Sequence, residues 1–228
     1  LHRVDRRQRQ MCIRDRVWDE EVQAVFEAHQ AAVSARTGPR FNNSLPIHLA
    51  ASNPKSCRSL IKRLVDLNPR GVSQADRNGK LPLHLSCEHG KDWVGGGTEL
   101  IYQAFPQAVL IREDNERHWT PLHMASAAPA SSSTLVNKLV ELNPEACQIV
   151  DSLGRLPLHL ACESGKNWEG GLHVIFEGNP LAISSEDRQG RLPIYIAALR
   201  CAMLMAEAPE DLAAEAGTFY VPPEVSGE

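Results

Sequence analysis

The side chains best placed to do chemistry in this sequence are two His-x-x-Cys pairs, His84 with Cys87 and His159 with Cys162, with His89 near the first. A spacing of three residues puts both side chains on one helix face. That arrangement suits two tasks, holding a zinc ion or activating a thiol through an imidazole. Zinc needs four ligands, and the spacing recurs here simply because a longer unit is repeated. A cysteine nucleophile needs a third group to orient its base and an oxyanion-forming loop, and neither is evident. The run Gly95-Gly96-Gly97 has no following Lys-Ser/Thr and no preceding strand, which argues against a phosphate loop. Trp93 and Trp168 recur at matching positions, as residues packing over a loop would. We therefore expect no catalytic residue, no metal and no cofactor. The histidines tie turns to the backbone, and the cysteines are small core residues.

The elements that carry these residues are repeats. Leu81-Pro82-Leu83-His84-Leu85-Ser86 has counterparts beginning at Leu45, Thr120, Leu156 and Leu192, with prolines at 46, 82, 121, 157 and 193. A period between about 20 and 50 residues means stacked supersecondary units. Proline suits the first turn of a helix, where its missing N–H has no partner to lose. Before it stands a turn, Asp76-Arg77-Asn78-Gly79, Asp151-Ser152-Leu153-Gly154 or Asp187-Arg188-Gln189-Gly190, in which Asp bonds the local backbone and Gly accepts positive φ. After the short helix, apolar residues at 60, 61, 64, 65 and 67 predict a longer amphipathic one. Asn68-Pro69, Phe105-Pro106, Asn143-Pro144 and Asn179-Pro180 then stop the second helices. A two-unit super-period underlies the single one. Pro46 to Pro121 and Pro82 to Pro157 are equal steps, and Cys-Glu-x-Gly-Lys-x-Trp occurs only at 87–93 and 162–168.

These units resemble ankyrin repeats over roughly residues 20 to 205, so the expected fold is an all-α, ankyrin-type helix-turn-helix solenoid. Thr of the family's T-P-L-H survives only at Thr120, so the resemblance implies a hydroxyl bond to the motif histidine in that copy alone. Asn-Pro also replaces the family's usual Gly after the second helix. The resemblance further implies a concave binding surface made of turn tips and the exposed face of each first helix. The matching positions are Arg77, Asn78 and Lys80; Glu116, Arg117 and Trp119; Ser152, Leu153 and Arg155; Arg188, Gln189 and Arg191. Glu88, His89, Glu163 and Ser164 are the first-helix candidates.

The chain has three expected parts: residues 1–16, a repeat array over 17–206 and a tail or linker over 207–228. Arg6 to Asp15 matches one reading frame of a widely used sequencing adapter, so 1–16 is set aside as non-native, a basic arm being the competing reading. The whole chain has 24 Lys+Arg and 28 Asp+Glu. Without the six arginines and two aspartates of 1–16, 18 and 26 remain, a net formal charge of −8. An acidic body argues against general nucleic-acid or membrane-surface binding, and no stretch is long and apolar enough to span a bilayer. Setting Cys12 aside leaves Cys57, Cys87, Cys147, Cys162 and Cys201. An odd number scattered through repeats reads as reduced thiols in a cytoplasmic or nuclear protein.

Trp18 to Val33 has the pattern of a second helix, expected as the back half of a repeat whose front is missing, and the last unit is atypical, with Tyr195 in the histidine position. The function expected is a non-enzymatic scaffold, monomeric as a fragment, that binds a protein partner. Arg77, Lys80, Arg117, Arg155, Arg188 and Arg191 form a basic stripe in sequence, which points to an acidic partner, with ordinary solvated turns as the competing reading. Trp119 is expected to stand exposed as an apolar anchor, or else to pack on a neighbouring finger. The alternative is a regulatory or substrate-recruiting region of a larger enzyme. A metal- or redox-responsive repeat protein is the third reading.

Overall fold

The computed structural model describes Gln23 and residues 30–207. The segments 1–16 and 208–228, and most of the helix expected over Trp18–Val33, lie outside the described residues; only Gln23 and the short 3₁₀ turn Gln30–Val33 of that stretch are within them. Among the described residues every regular element is helical. No described helix is long and apolar enough to cross a membrane.

The elements come in pairs. The first helices are α1 (Pro46–Ser52), α3 (Pro82–Glu88), α5 (Pro121–Ala127) and α7 (Pro157–Ser164). Each opens on its proline after a residue in extended conformation, which is the backbone that a following proline enforces. The second helices are α2 (Arg58–Leu67), α4 (Thr98–Ala104), α6 (Ser133–Leu142) and α8 (His173–Gly178). A last first helix, α9 (Pro193–Glu207), continues through the small apolar residues after Arg200. Neighbouring first helices pack on one another in chain order along the whole series. Leu83, Leu122 and Leu158 are buried between them, each worth about 1.5–3 kcal/mol relative to an exposed leucine.

The second helix is longer than the first only in the odd pairs. In the even pairs the residues that would lengthen it form the inter-helix loop instead. Gly97, at φ 77°, caps α4, and Gly171, at φ 108°, interrupts the π-type turn Trp168–Leu172 ahead of α8. Every second helix ends at an Asn or Phe before proline, and that proline opens a five-residue 3₁₀ turn. The asparagines have a further task. The amides of Asn68, Asn143 and Asn179 donate to the carbonyls of Val33, Val109 and Cys147 in the preceding unit, at 3.3, 3.4 and 3.2 Å.

The motif histidines are wholly buried and use their rings as bridges. Nδ1 of His48, His84, His123 and His159 accepts the backbone N–H of the residue before the proline, at 3.0 to 3.3 Å. Only Thr120 adds a side-chain bond, from its Oγ1 to His123 Nδ1 at 2.8 Å. The backbone bond therefore survives the Thr-to-Leu replacements. An Nδ1 that accepts leaves the ring proton on Nε2, which donates to Gln74 O from His48, to Ile111 O from His84 and to Ser185 O from His159, at 2.9 to 3.1 Å. His123 Nε2 completes no such bond.

The super-period has a physical basis in two buried lysines. Lys91 is 1% exposed and donates to Asn53 O at 2.9 Å, Ser56 O at 2.8 Å and Ser56 Oγ. Lys166, 75 residues on, donates to Ala128 O at 2.9 Å, Ser131 O at 3.4 Å and Ser131 Oγ. Each even unit thus drives a lysine into an oxygen cage on the odd unit before it. Burial pushes both amines down to about 8, which still leaves them largely protonated at neutral pH. An ammonium so buried would cost several kcal/mol without these acceptors.

Lys91→Met and Lys166→Met should each lower stability by about 1–3 kcal/mol, because carbonyls lose their donor, whereas exposed Lys55→Met should change it by less than about 0.5 kcal/mol. Urea unfolding checks this, and equal losses at all three positions would show that the cages do not hold the pairs together. The histidines make a second prediction. Burial lowers the pKa of all four, to about 4 for His84 and His123. The unfolded chain therefore binds more protons below pH 6.5, and stability present above that value is lost as pH falls towards 4. The melting temperature should drop steadily over this window, and a flat profile from pH 7 to 5 would contradict the buried neutral imidazoles.

Candidate functional site

Each first helix is preceded by a finger loop, and aspartate builds most of them. Asp76 Oδ1 accepts the N–H groups of Asn78 and Lys80 at 2.8 and 2.9 Å; Asp151 does the same for Leu153 and Arg155, and Asp187 for Gln189 and Arg191. These bonds hold the Asp151 and Asp187 carboxyls below their usual range despite burial. Gly79, Gly154 and Gly190 close the turns at φ 72° to 74°. A side chain at Gly79 would meet the Asp114 backbone at 2.5 Å, so the fingers also stand too close for anything larger. Backbone bonds link successive fingers, from Arg77 N to Asn42 O, Ser152 N to Arg117 O and Arg188 N to Leu153 O, at 2.8 to 3.1 Å.

The third finger differs. Glu113 stands where the second, fourth and fifth fingers have aspartate, and two extra residues precede Trp119. The loop closes through Glu113 N–H to Trp119 O at 2.8 Å, with His118 in the left-handed region at φ 55°. Glu113 is 1% exposed, and neither of its carboxylate oxygens completes a hydrogen bond. Burial raises its pKa, partly offset by Lys80 and by the nearby Trp119 N–H and Asn115 amide.

Trp119 is buried rather than exposed as an anchor. Its Nε1 donates to Asp151 Oδ2 at 3.0 Å, and the guanidiniums of Arg117 and Arg155 lie 4.8 and 5.8 Å from the ring centroid. The ring packs onto the next finger, with Arg155 of that finger and Arg117 of its own finger within cation–π range. Ser164 is a second correction. It is buried, with Oγ donating to Ser126 O at 2.7 Å, so it presents nothing to a partner.

The basic stripe is half spent internally. Lys80 Nζ pairs with Glu88 at 2.6 Å, Arg155 with Asp151 and Glu163 at 3.0 Å each, and Arg191 with Asp187 at 2.8 Å. Arg77, Arg117 and Arg188 are exposed and have no carboxylate partner among the described residues. Glu116, Leu153, Glu163 and Gln189 are exposed as well, and Ser152 is half-buried.

Four of the expected residues converge. Asn78, Lys80, Glu88 and His89 line a cavity of about 470 Å³ between the first two fingers and α1 and α3. Arg40, Asn42, Leu49 and Leu85 are among the other lining residues, and sequence reasoning had not chosen them. The first finger carries no Asp-x-x-Gly, and its only signal was Asn42-Asn43, both with φ near 55°. Leu49 reads as core in the motif yet is 40% exposed. The candidates in the later fingers lie along the same row, outside this cavity.

The His-x-x-Cys pairs offer no reactive group. Both ring nitrogens of His84 and His159 are engaged by backbone, and burial pushes the Cys87 and Cys162 thiols up, away from thiolate. Among the described residues no three His, Cys, Asp or Glu side chains gather as a metal site would require. Trp93 is buried against Tyr102 at 5.7 Å, whereas its counterpart Trp168 lies 56% exposed over His173 and Phe176. No protein-family model matches the chain, and no curated protein is significantly similar to it.

Trp119→Ala should therefore act on stability, lowering it by roughly 3–5 kcal/mol as buried tryptophans do, while Arg77→Ala should stay within about 0.5 kcal/mol. Urea unfolding of the two variants decides this, and equally mild effects would mean that the ring does not join the third and fourth fingers.

Proposed function

We propose that this chain is a non-enzymatic protein-binding module, an ankyrin-type solenoid that displays a rigid surface of fingers and first helices to a segment of a partner protein. The observation that carries the reading is the cavity where finger residues Asn78 and Lys80 meet first-helix residues Glu88 and His89 over exposed Leu49. A concave site with an apolar floor and a few convergent polar groups is the usual form of a binding pocket. The absence of a usable nucleophile-base pair at either His-x-x-Cys fits display rather than catalysis. Arg77, Arg117 and Arg188 at the finger tips favour an acidic stretch in the partner, because cations on residues 17–228, whose formal charge is −8, attract carboxylates locally.

Pull-down from lysate followed by titration of the captured partner tests the reading. Leu49→Arg should weaken binding at least tenfold with an unchanged melting temperature, and Arg77→Ala and Arg117→Ala should each weaken it several-fold, more at low salt than at high. Lys62→Ala and Lys138→Ala, on the second helices, should have no effect. Binding that ignores Leu49→Arg and both finger variants would remove this surface as the site.

A further inference from the structure

Lys80 lies between two glutamates and satisfies only one. Its ammonium is 2.6 Å from Glu88 Oε1 and 4.0 Å from Glu113 Oε2. Glu88 is the more accessible partner, its side chain 31% exposed at the cavity wall. Glu113 is 1% exposed and both its oxygens are without a completed hydrogen bond. A buried carboxylate gains most from a charged donor, yet here the cation is committed to the acid that water could have served. A shift of about 1 Å would bring Lys80 into hydrogen-bond range of Glu113 and would release Glu88.

The equivalent place in the fourth unit lacks this arrangement. Arg155 reaches Asp151 and Glu163 together at 3.0 Å, and Asp151 also accepts from Trp119 Nε1, so no acid there is left waiting. The feature belongs to the one cavity already described. Leu49 and Leu85 line that cavity beside Glu88, apolar wall suited to the methylene stem of a long side chain. Asp76, also in the lining, is occupied by the Asn78 and Lys80 N–H groups. Arg40, His89 and His48 are the other ionisable groups there, His48 with both ring nitrogens engaged by backbone.

We propose that this cavity is a subsite for one basic side chain, Lys or Arg, of the bound protein segment, seated on Glu88 while Lys80 transfers its ion pair to Glu113. After the exchange Glu88 and Glu113 each have a cation. It makes entry of a cation favourable where a static Lys80–Glu88 pair would offer nothing. The proposal rests on the protein-binding reading and specifies it: exposed Arg77, whose N–H bonds the lining residue Asn42, adjoins the site, and exposed Arg117 lies further along the finger row. The segment it fits is an acidic stretch interrupted by one basic residue.

A random peptide library displayed against the full chain tests this. Enriched peptides should share a Lys or Arg at one position. Replacing that residue by norleucine in a synthetic copy should weaken binding at least tenfold, as should Glu88→Gln in the protein. The two changes together should cost little more than either alone, a coupling that a merely structural Glu88 would not produce. Glu113→Gln should weaken the same peptide several-fold and leave its norleucine copy unaffected. Peptides that enrich and are blocked by Leu49→Arg, but show no basic position or tolerate Glu88→Gln, would overturn the subsite and leave the protein-binding reading standing. No enrichment would overturn both. The peptide-side substitution decides the matter even if a protein variant fails to fold.

Discussion

The fold depends first on an imidazole that must stay neutral. In each complete unit the ring sits at zero exposure, accepting at Nδ1 from the residue before its helix. In three of the four it also donates from Nε2 to the segment that leads into the next finger. One side chain thus fixes the start of its own helix and the position of the following unit. A protonated ring could not accept at Nδ1, so the same geometry that joins the units forbids the charge. The leucines around it supply most of the burial energy but no direction. The ring supplies the direction, and it leaves that nitrogen unable to bind metal or accept a substrate proton.

What that bridge positions is a row of fingers, and the fingers regulate their own electrostatics. Each aspartate is consumed by its turn, and the cation two residues before the proline folds back onto an acid, Lys80 onto Glu88, Arg155 onto Asp151 and Glu163. Only the tip residues remain for encounter with solvent. A surface that reads in sequence as a continuous basic stripe is therefore a row of separate tip charges above a set of internal pairs. The Lys80 and Arg155 side chains are only 14% and 11% exposed, so a partner that breaks one of these pairs must supply a replacement charge.

The legible part of this structure was the part written in register. Proline at N1, the Asp-x-x-Gly turns and the Asn-Pro stops each use a local rule, so the start of each first helix and the end of each second helix followed from sequence, while the starts of the second helices did not. Trp119 was legible only as a choice between an exposed anchor and packing on a neighbouring finger, because its burial depends on Asp151 in the next finger and on two arginines 2 and 36 residues away in sequence. Ser164 and the lysine cages failed for the same reason, since their partners lie 35 to 38 residues off. The cavity was half visible. The residues contributed by the regular second finger were recoverable, and those from the irregular first finger were not.

The lysines explain why a chain of similar units alternates. A cage of carbonyl and hydroxyl oxygens formed by Asn53 and Ser56, or by Ala128 and Ser131, is an expensive thing to bury empty, and Lys91 or Lys166 is equally expensive to bury unpaired. Only an even unit following an odd one satisfies both. Hydrophobic faces as alike as those of α1, α3, α5 and α7 would stack in any order, but a unit displaced by one step would leave two cages open and two ammonium groups stranded. Pairwise duplication accounts for how the alternation arose in sequence. The buried cation accounts for why the pairs are not interchangeable, which is the registry role that polar groups in apolar interfaces serve best.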